Sequence, residues 1–241
     1  MQPPSGPSAP SWAAATDPRL AVTAAALENL DAAATALAGG KPALVWRRLI
    51  ADTETPVGAA VKLIEAGRGD FLLESVEGGE VRGRYSLLGL DPDLVFRATG
   101  SACEINRDWR QAREAFAPLA GDSLSELRSL VASCRIDVPP ALPRALACLV
   151  GYFGYETIGL VEKLPRAPAS TLELPDMLFV RPTLILVFDR LSDALFCVAP
   201  VWPSDAAPDR TLAQAQERID EALRRLQPIR AENRRGPVRS A

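Results

Sequence analysis

Residues 56–96 read PVGAAVKLIEAGRGDFLLESVEGGEVRGRYSLLGLDPDLVF, and the spacing of their apolar residues decides the fold class. Thr55 followed by Pro56 offers an N-cap hydroxyl and a first-turn proline, a helix start. Val57, Ala60, Val61 and Ile64 then recur at helical spacing. Gly67 tolerates the left-handed conformation that ends a helix. After Asp70 comes FLLESVE, a short strand closed by Gly78-Gly79. Arg84–Leu90, Leu94–Ala98 and Ala102–Asn106 are three more short strands, parted by Asp91-Pro92 and Thr99-Gly100-Ser101, which read as turns. A run of strands joined by short turns is an antiparallel meander rather than a strand–helix–strand alternation. The predicted class is α+β, with a mainly antiparallel sheet flanked by helices.

Upstream, Ala43–Ile50 is a further strand, and Leu20–Leu37 is an Ala-rich helix stopped by Gly39-Gly40. Downstream, Ser123 and Glu126 read as a capping box that starts a helix buried through Leu124, Leu127, Leu130, Val131 and Cys134. A proline-rich loop, residues 139–143, precedes an apolar strand over Ala145–Tyr152, and Gly154–Leu160 reads as a short turn or helix. Leu178–Phe188 and Ala194–Ala199 form a hairpin of two apolar strands. A last helix, Asp209–Leu226, carries its stripe on Leu212, Ala215, Ile219, Ala222 and Leu226. The organisation expected is an N-terminal extension over 1–40, its Pro/Ser/Ala-rich residues 1–18 disordered and its Ala-rich helix an appendage to the core, then one domain over 41–228, and a basic tail over 229–241 with Arg230, Arg234, Arg235 and Arg239.

With 241 residues, 48% hydrophobic and 24% charged, the composition is globular, and the net charge of −3 argues against nucleic acid or an anionic membrane as the main partner. The sequence holds no histidine, which removes His-based triads and the commonest general base and metal ligand. Cys103, Cys134, Cys148 and Cys197 share no metal or redox spacing and read as small buried hydrophobes of a cytoplasmic protein. No apolar run reaches membrane-span length, and residues 1–18 lack the charge and apolar core of a signal peptide. Gly151–Gly154 lacks the third glycine of a dinucleotide loop, and the carboxylate pairs Glu74/Glu77 and Asp91/Asp93 read as solvated surface. Nothing in pattern alone marks a catalytic residue or a metal site.

The quoted stretch resembles the amino-terminal region of anthranilate synthase component I. In that family a "PV…K" helix leads into an LLES strand and then an RYS strand. Here the matching residues are Pro56-Val57, Lys62, Leu72-Leu73-Glu74-Ser75 and Arg84-Tyr85-Ser86. GYFGYE at Gly151–Glu156 and LPDMLFVRPTLILVFDR at Leu174–Arg190 match two later family segments, with Arg190 where histidine is common. The likeness runs from about residue 42 to about residue 227.

The resemblance implies the amino-terminal half of the chorismate-using enzyme fold and a place in tryptophan biosynthesis. It also implies that chorismate and Mg²⁺ belong to a carboxy-terminal catalytic domain, whose NPSPYM-like motif this sequence lacks. No cofactor is expected on this chain, and the chain alone is expected to be inactive. The partners implied are that catalytic domain, a glutamine amidotransferase subunit, and tryptophan as feedback effector. The LLES strand lines one wall of the family's tryptophan pocket, so Leu73, Glu74 and Ser75, with Tyr85 nearby, are the implied effector-binding residues. Successive strand residues point to opposite faces. Glu74 and Ser75 therefore cannot both enter one pocket from a regular strand. Ser75 is taken as the side-chain contact and Glu74 as partly structural, paired with Arg82 or Arg84. Two alternatives stay open: the matching part of aminodeoxychorismate synthase, and a stand-alone binding or scaffold module.

Overall fold

Two long strands organise the sheet. The computed structural model describes residues 27–51, 53–77, 81–163 and 174–226, with the side chains of 75–77, 81 and 82 excepted. The strands are β1 (Ala43–Ile50), β2 (Phe71–Glu77), β3 (Val81–Thr99), β4 (Ala102–Asn106), β5 (Ala117–Pro118), β6 (Val150–Phe153), β7 (Met177–Asp189) and β8 (Ala194–Val201). The helices are α1 (Leu30–Ala38), α2 (Pro56–Leu63), α3 (Ser123–Ser133) and α4 (Pro208–Leu226), with a 3₁₀ turn at Tyr155–Leu160. All described pairings are antiparallel, in the order β1-β8-β7-β3-β4-β5. The first half of β3 carries β2 on its outer edge and the second half carries β4. Likewise β7 carries β6 and then β8 on its far edge. The α+β antiparallel expectation matches this architecture.

Both sheet faces are covered, and strand alternation sorts the residues between them. Leu88, Leu184, Leu186, Phe188, Leu195, Cys197 and Val45 meet α1, α2 and α4 in one core. Ile185, Val187, Phe196, Val198 and Trp46 point the other way, onto Leu142 of the proline-rich loop and Leu146 just beyond it. Further along that second face, Leu94, Phe96 and Met177 pack on Leu127 and Leu130 of α3. Because β7 and β8 are buried on both faces, their sequences read as continuous apolar runs. The stripe on α4 is buried as its periodicity predicts, with Leu223 added.

Several local expectations are corrected. Asp91-Pro92 is no turn; β3 runs through it, with a register shift between Pro92 and Leu94 that marks a bulge. Pro92 faces Pro182 across the ladder, beside that bulge, where a residue without an N–H is tolerated. Asp91 stands at positive φ there, its N–H donating to Asp70 Oδ1 at 2.8 Å. In α2, Thr55 caps as expected, accepting from Gly58 N–H at 3.0 Å, but the buried side is Pro56, Ala59 and Leu63. Val57 and Val61 are exposed, because small Ala59 lets the helix approach the sheet on its other side. The helix ends at Leu63, and Gly67 takes its positive φ in the turn beyond.

Asp122, not Ser123, caps α3, accepting from Ser125 N–H at 3.0 Å. Ser123 Oγ instead donates to Gly100 O at 2.8 Å, and Glu126 accepts from Gly121 N–H. Val131 of α3 is exposed. The strand expected over Ala145–Tyr152 is shorter and later, at β6. The Ala-rich segment is not an appendage: Ala33 and Leu37 of α1 are buried in the main core, so the compact unit begins before Lys41. Residues 1–26, Gly78-Gly79 and the basic tail lie outside the described residues. Among the described residues no helix is long and apolar enough to cross a membrane.

Candidate functional site

Three segments far apart in sequence meet where β2, β3 and the β7–β8 turn come together. Leu72-Leu73-Glu74-Ser75 lies on β2, Arg84-Tyr85-Ser86 on β3, and Phe188-Asp189-Arg190 at the end of β7. β2 pairs with β3 through Leu73↔Leu87 and Glu74↔Ser86, and β3 pairs with β7 through Tyr85↔Asp189. The β2 register then shifts between Glu74 and Val76, which next faces Arg82. Residues 83–85 thus stand opposite the single residue Ser75, and the irregularity sits on β3 rather than β2.

The firmest polar contact is a two-pronged ion pair. Arg84 Nε and Nη2 donate to Asp189 Oδ1 and Oδ2, both at 2.8 Å, while the Asp189 side chain is 5% exposed. Ser192 Oγ and Leu191 N–H donate to the same carboxylate at 2.9 and 3.1 Å. The Arg84 guanidinium, opposed by burial and helped by those further donors, holds the Asp189 carboxyl at about 2. Arg84 also lies 4.7 Å above the centre of the Tyr85 ring, a cation–π contact.

Glu74 is held far more loosely. Ser86 Oγ donates to Glu74 Oε1 at 3.3 Å and Arg190 Nη2 stands 3.6 Å from the same oxygen. Both exceed the usual length of a charge-assisted bond. A third of the Glu74 side chain remains exposed, as does nearly a third of Arg190. The expected partner of Glu74 was Arg82 or Arg84. Arg84 is taken by Asp189, and Arg190 fills the role instead; the Arg82 side chain lies outside the described residues.

The structure does not bring the four sequence-predicted residues to one face. Glu74 shares the helix-covered face with Ser86 and Leu88, while Leu73 and Tyr85 share the opposite face with Leu87. Leu73 is 46% exposed there. The side chain of Ser75 lies outside the described residues. Among the described residues β2 pairs with β3 alone, so its other edge is open. Cavities of about 790 and 580 Å³ exist elsewhere, and neither is lined by these four residues. Asp189, Arg190 and Ser192 escaped sequence reasoning as site residues. Their signal was the VFDR segment, read there as strand and hairpin turn.

Convergence of the LLES, RYS and VFDR segments is the geometry against which relatives can be compared. Anthranilate synthase component 1 of Cereibacter sphaeroides is 46% identical over 188 residues, 78% of this chain and 38% of that protein. The chain belongs to the anthranilate synthase component I family. It corresponds to that family's amino-terminal region. Anthranilate synthase component 1 proteins of Pseudomonas aeruginosa and Thermus thermophilus are 36% and 34% identical, each over 75% of this chain. The chain spans a little over a third of the length of these curated relatives. A solved structure of anthranilate synthase component I from Streptococcus pneumoniae TIGR4 aligns over 76% of this chain and 37% of that one, at 19% identity and a TM-score of 0.47. A scan against protein-family models gives no match. Among the described residues of this anthranilate synthase relative, no group of three or more His, Cys, Asp or Glu is placed to hold a metal ion.

Proposed function

We propose that this chain carries one wall of a tryptophan feedback site, set along the open edge of β2, and leaves chorismate chemistry to the region of its relatives that it does not span. The observation carrying this reading is the loosely held Glu74–Arg190 pair on an edge strand whose outward-facing Leu73 is exposed. An amino acid needs an acceptor for its ammonium, a donor for its carboxylate and an apolar slot for its ring. Glu74 supplies the acceptor. Arg190, 3.6 Å away, supplies a planar donor. A ligand lying on a strand edge meets side chains from both faces as well as the strand's own N–H and C=O groups. That removes the conflict between Glu74 and its neighbours: Leu73 and Tyr85 offer apolar surface from one face, Glu74 a charge from the other, and Ser75 stands between.

Regulation follows if tryptophan binds one arrangement of the two regions better than another, which shifts the population toward the less active one. Mg²⁺, the ammonia-supplying amidotransferase and chorismate belong, on this reading, to the rest of the assembly. The relatives reported above carry the name of the anthranilate enzyme, which favours it over the aminodeoxychorismate branch.

The test is a chimera in which residues 42–227 replace the matching region of the Cereibacter sphaeroides relative. Anthranilate fluorescence should show turnover of chorismate and ammonia, inhibited by tryptophan. Ser75→Phe should keep turnover and remove inhibition. The 241-residue chain alone should make no anthranilate. Turnover by the chain alone, or intact inhibition in Ser75→Phe, would overturn the proposal.

A further inference from the structure

A second concave site lies on the helix side of the sheet, between α4, the end of α2 and the bulge of β3. Its volume is about 580 Å³. Arginines dominate its wall. Arg68 pairs with Asp70 at 2.7 Å and Arg110 with Asp91 at 2.8 Å. On α4, Arg224 pairs with Glu221 and Arg225 with Glu65. Each of these four guanidinia is compensated.

Arg218 is not. Among the described residues it makes no ion pair and no hydrogen bond, and its Nε is sealed from solvent without a partner. Glu217, its neighbour on α4, lines the same cavity without pairing to it. Leu90 and Leu184 form the apolar floor. Burial first, and then the nearby charge of Arg110, push the Arg218 guanidinium below its ordinary range, against the pull of Asp91 and Asp93. A half-buried guanidinium whose Nε–H is sealed from water without an acceptor is costly unless a charge-bearing partner arrives. The planar fork of arginine matches a carboxylate or phosphate through two parallel N–H···O bonds.

We infer that this cavity is a binding site for a small molecule bearing an oxyanion, with the Arg218 guanidinium as the group that grips it. The concave wall and apolar floor suit a compact metabolite, and the four paired arginines keep the rim from attracting bulk anions indiscriminately. The site is separate from the β2 edge and stands whether or not tryptophan binds there.

The test is a titration of the 241-residue chain with inorganic phosphate and, separately, acetate, at ionic strength matched with chloride. It is read on the Arg218 Nε–H resonance, assigned by its loss in Arg218→Gln. Saturation at that resonance with either anion is expected, and the tighter of the two identifies the oxyanion class. By calorimetry Arg218→Gln should weaken that anion tenfold or more, while Arg128→Gln, an exposed arginine of α3, should leave it unchanged. No saturable shift beyond the chloride control, or equal affinity in Arg218→Gln, would overturn the inference. Should Arg218→Gln fail to fold, the wild-type resonance, assigned through its neighbours on α4, decides alone.

Discussion

Replacing Asp189 by asparagine removes one charge and almost no volume, so it isolates the ion pair that ties the RYS and VFDR segments together. In the folded chain the carboxyl ionises near 2. An unfolded aspartate ionises near about 3.9. The lower folded value means that the native state favours the charged form. Its stabilisation is therefore present above the unfolded pKa and is lost as pH falls from about 4 toward 2. The gap between the two pKa values corresponds to about 2.5 kcal/mol. Arg84 is 48% exposed, so water and salt screen part of that. About 1.5–2 kcal/mol is the reasoned figure, a fall in Tm of about 3–8 °C for a domain of this size. Urea unfolding followed by circular dichroism at pH 7 and again at pH 2.5 reads it directly. The wild type should lead by that margin at pH 7, and the margin should shrink to about a third of it at pH 2.5. Equal stability at pH 7, or a margin undiminished at pH 2.5, would refute the assignment of Asp189 as a charged anchor.

Other outcomes follow from the same packing. Leu63→Ala should cost about 2–5 kcal/mol by urea midpoint, and Val61→Lys should change stability by less than about 0.5 kcal/mol, since α2 buries Leu63 and exposes Val61. Asp220→Ala should cost about 3–5 kcal/mol, because it strands the buried Arg47 guanidinium that Asp220 meets at 2.5 Å; a change under 1 kcal/mol would show the charge is relieved elsewhere. Cys148 and Cys197, whose thiols burial pushes up to about 12, should resist a disulfide reagent at pH 8 in the native chain and react promptly in denaturant. Gly151→Ala should fail to pair β6 with β7, since its Cβ would overlap the Leu178 carbonyl oxygen, while Gly159→Ala, with open space around it, should fold normally.

How much of this was legible in the sequence depended on what each pattern reports. β1 was readable to its ends because turn residues bound it, and α4 because one stripe alone is apolar. α2 was legible as a helix but not as to its face. Both of its sides carry apolar residues at helical spacing, and the sheet selected the side where Ala59 permits close approach. Asp91-Pro92 looked like a turn because its local chemistry is that of one. Only the neighbouring strands reveal a bulge, placed where β2 has ended and β4 has not begun. At the candidate site, the strand bearing Glu74 was legible and its partner was not. Whether Arg84 or Arg190 faces Glu74 is settled by the register of β3 and β7, which no local pattern encodes.

On the proposed function, the β2 edge forms one wall of a tryptophan site. Isothermal calorimetry of tryptophan into the chimera carrying residues 42–227 tests it most directly. One saturable site is expected in the wild type and no measurable heat in folded Ser75→Phe. Equal affinity in the two proteins would contradict it.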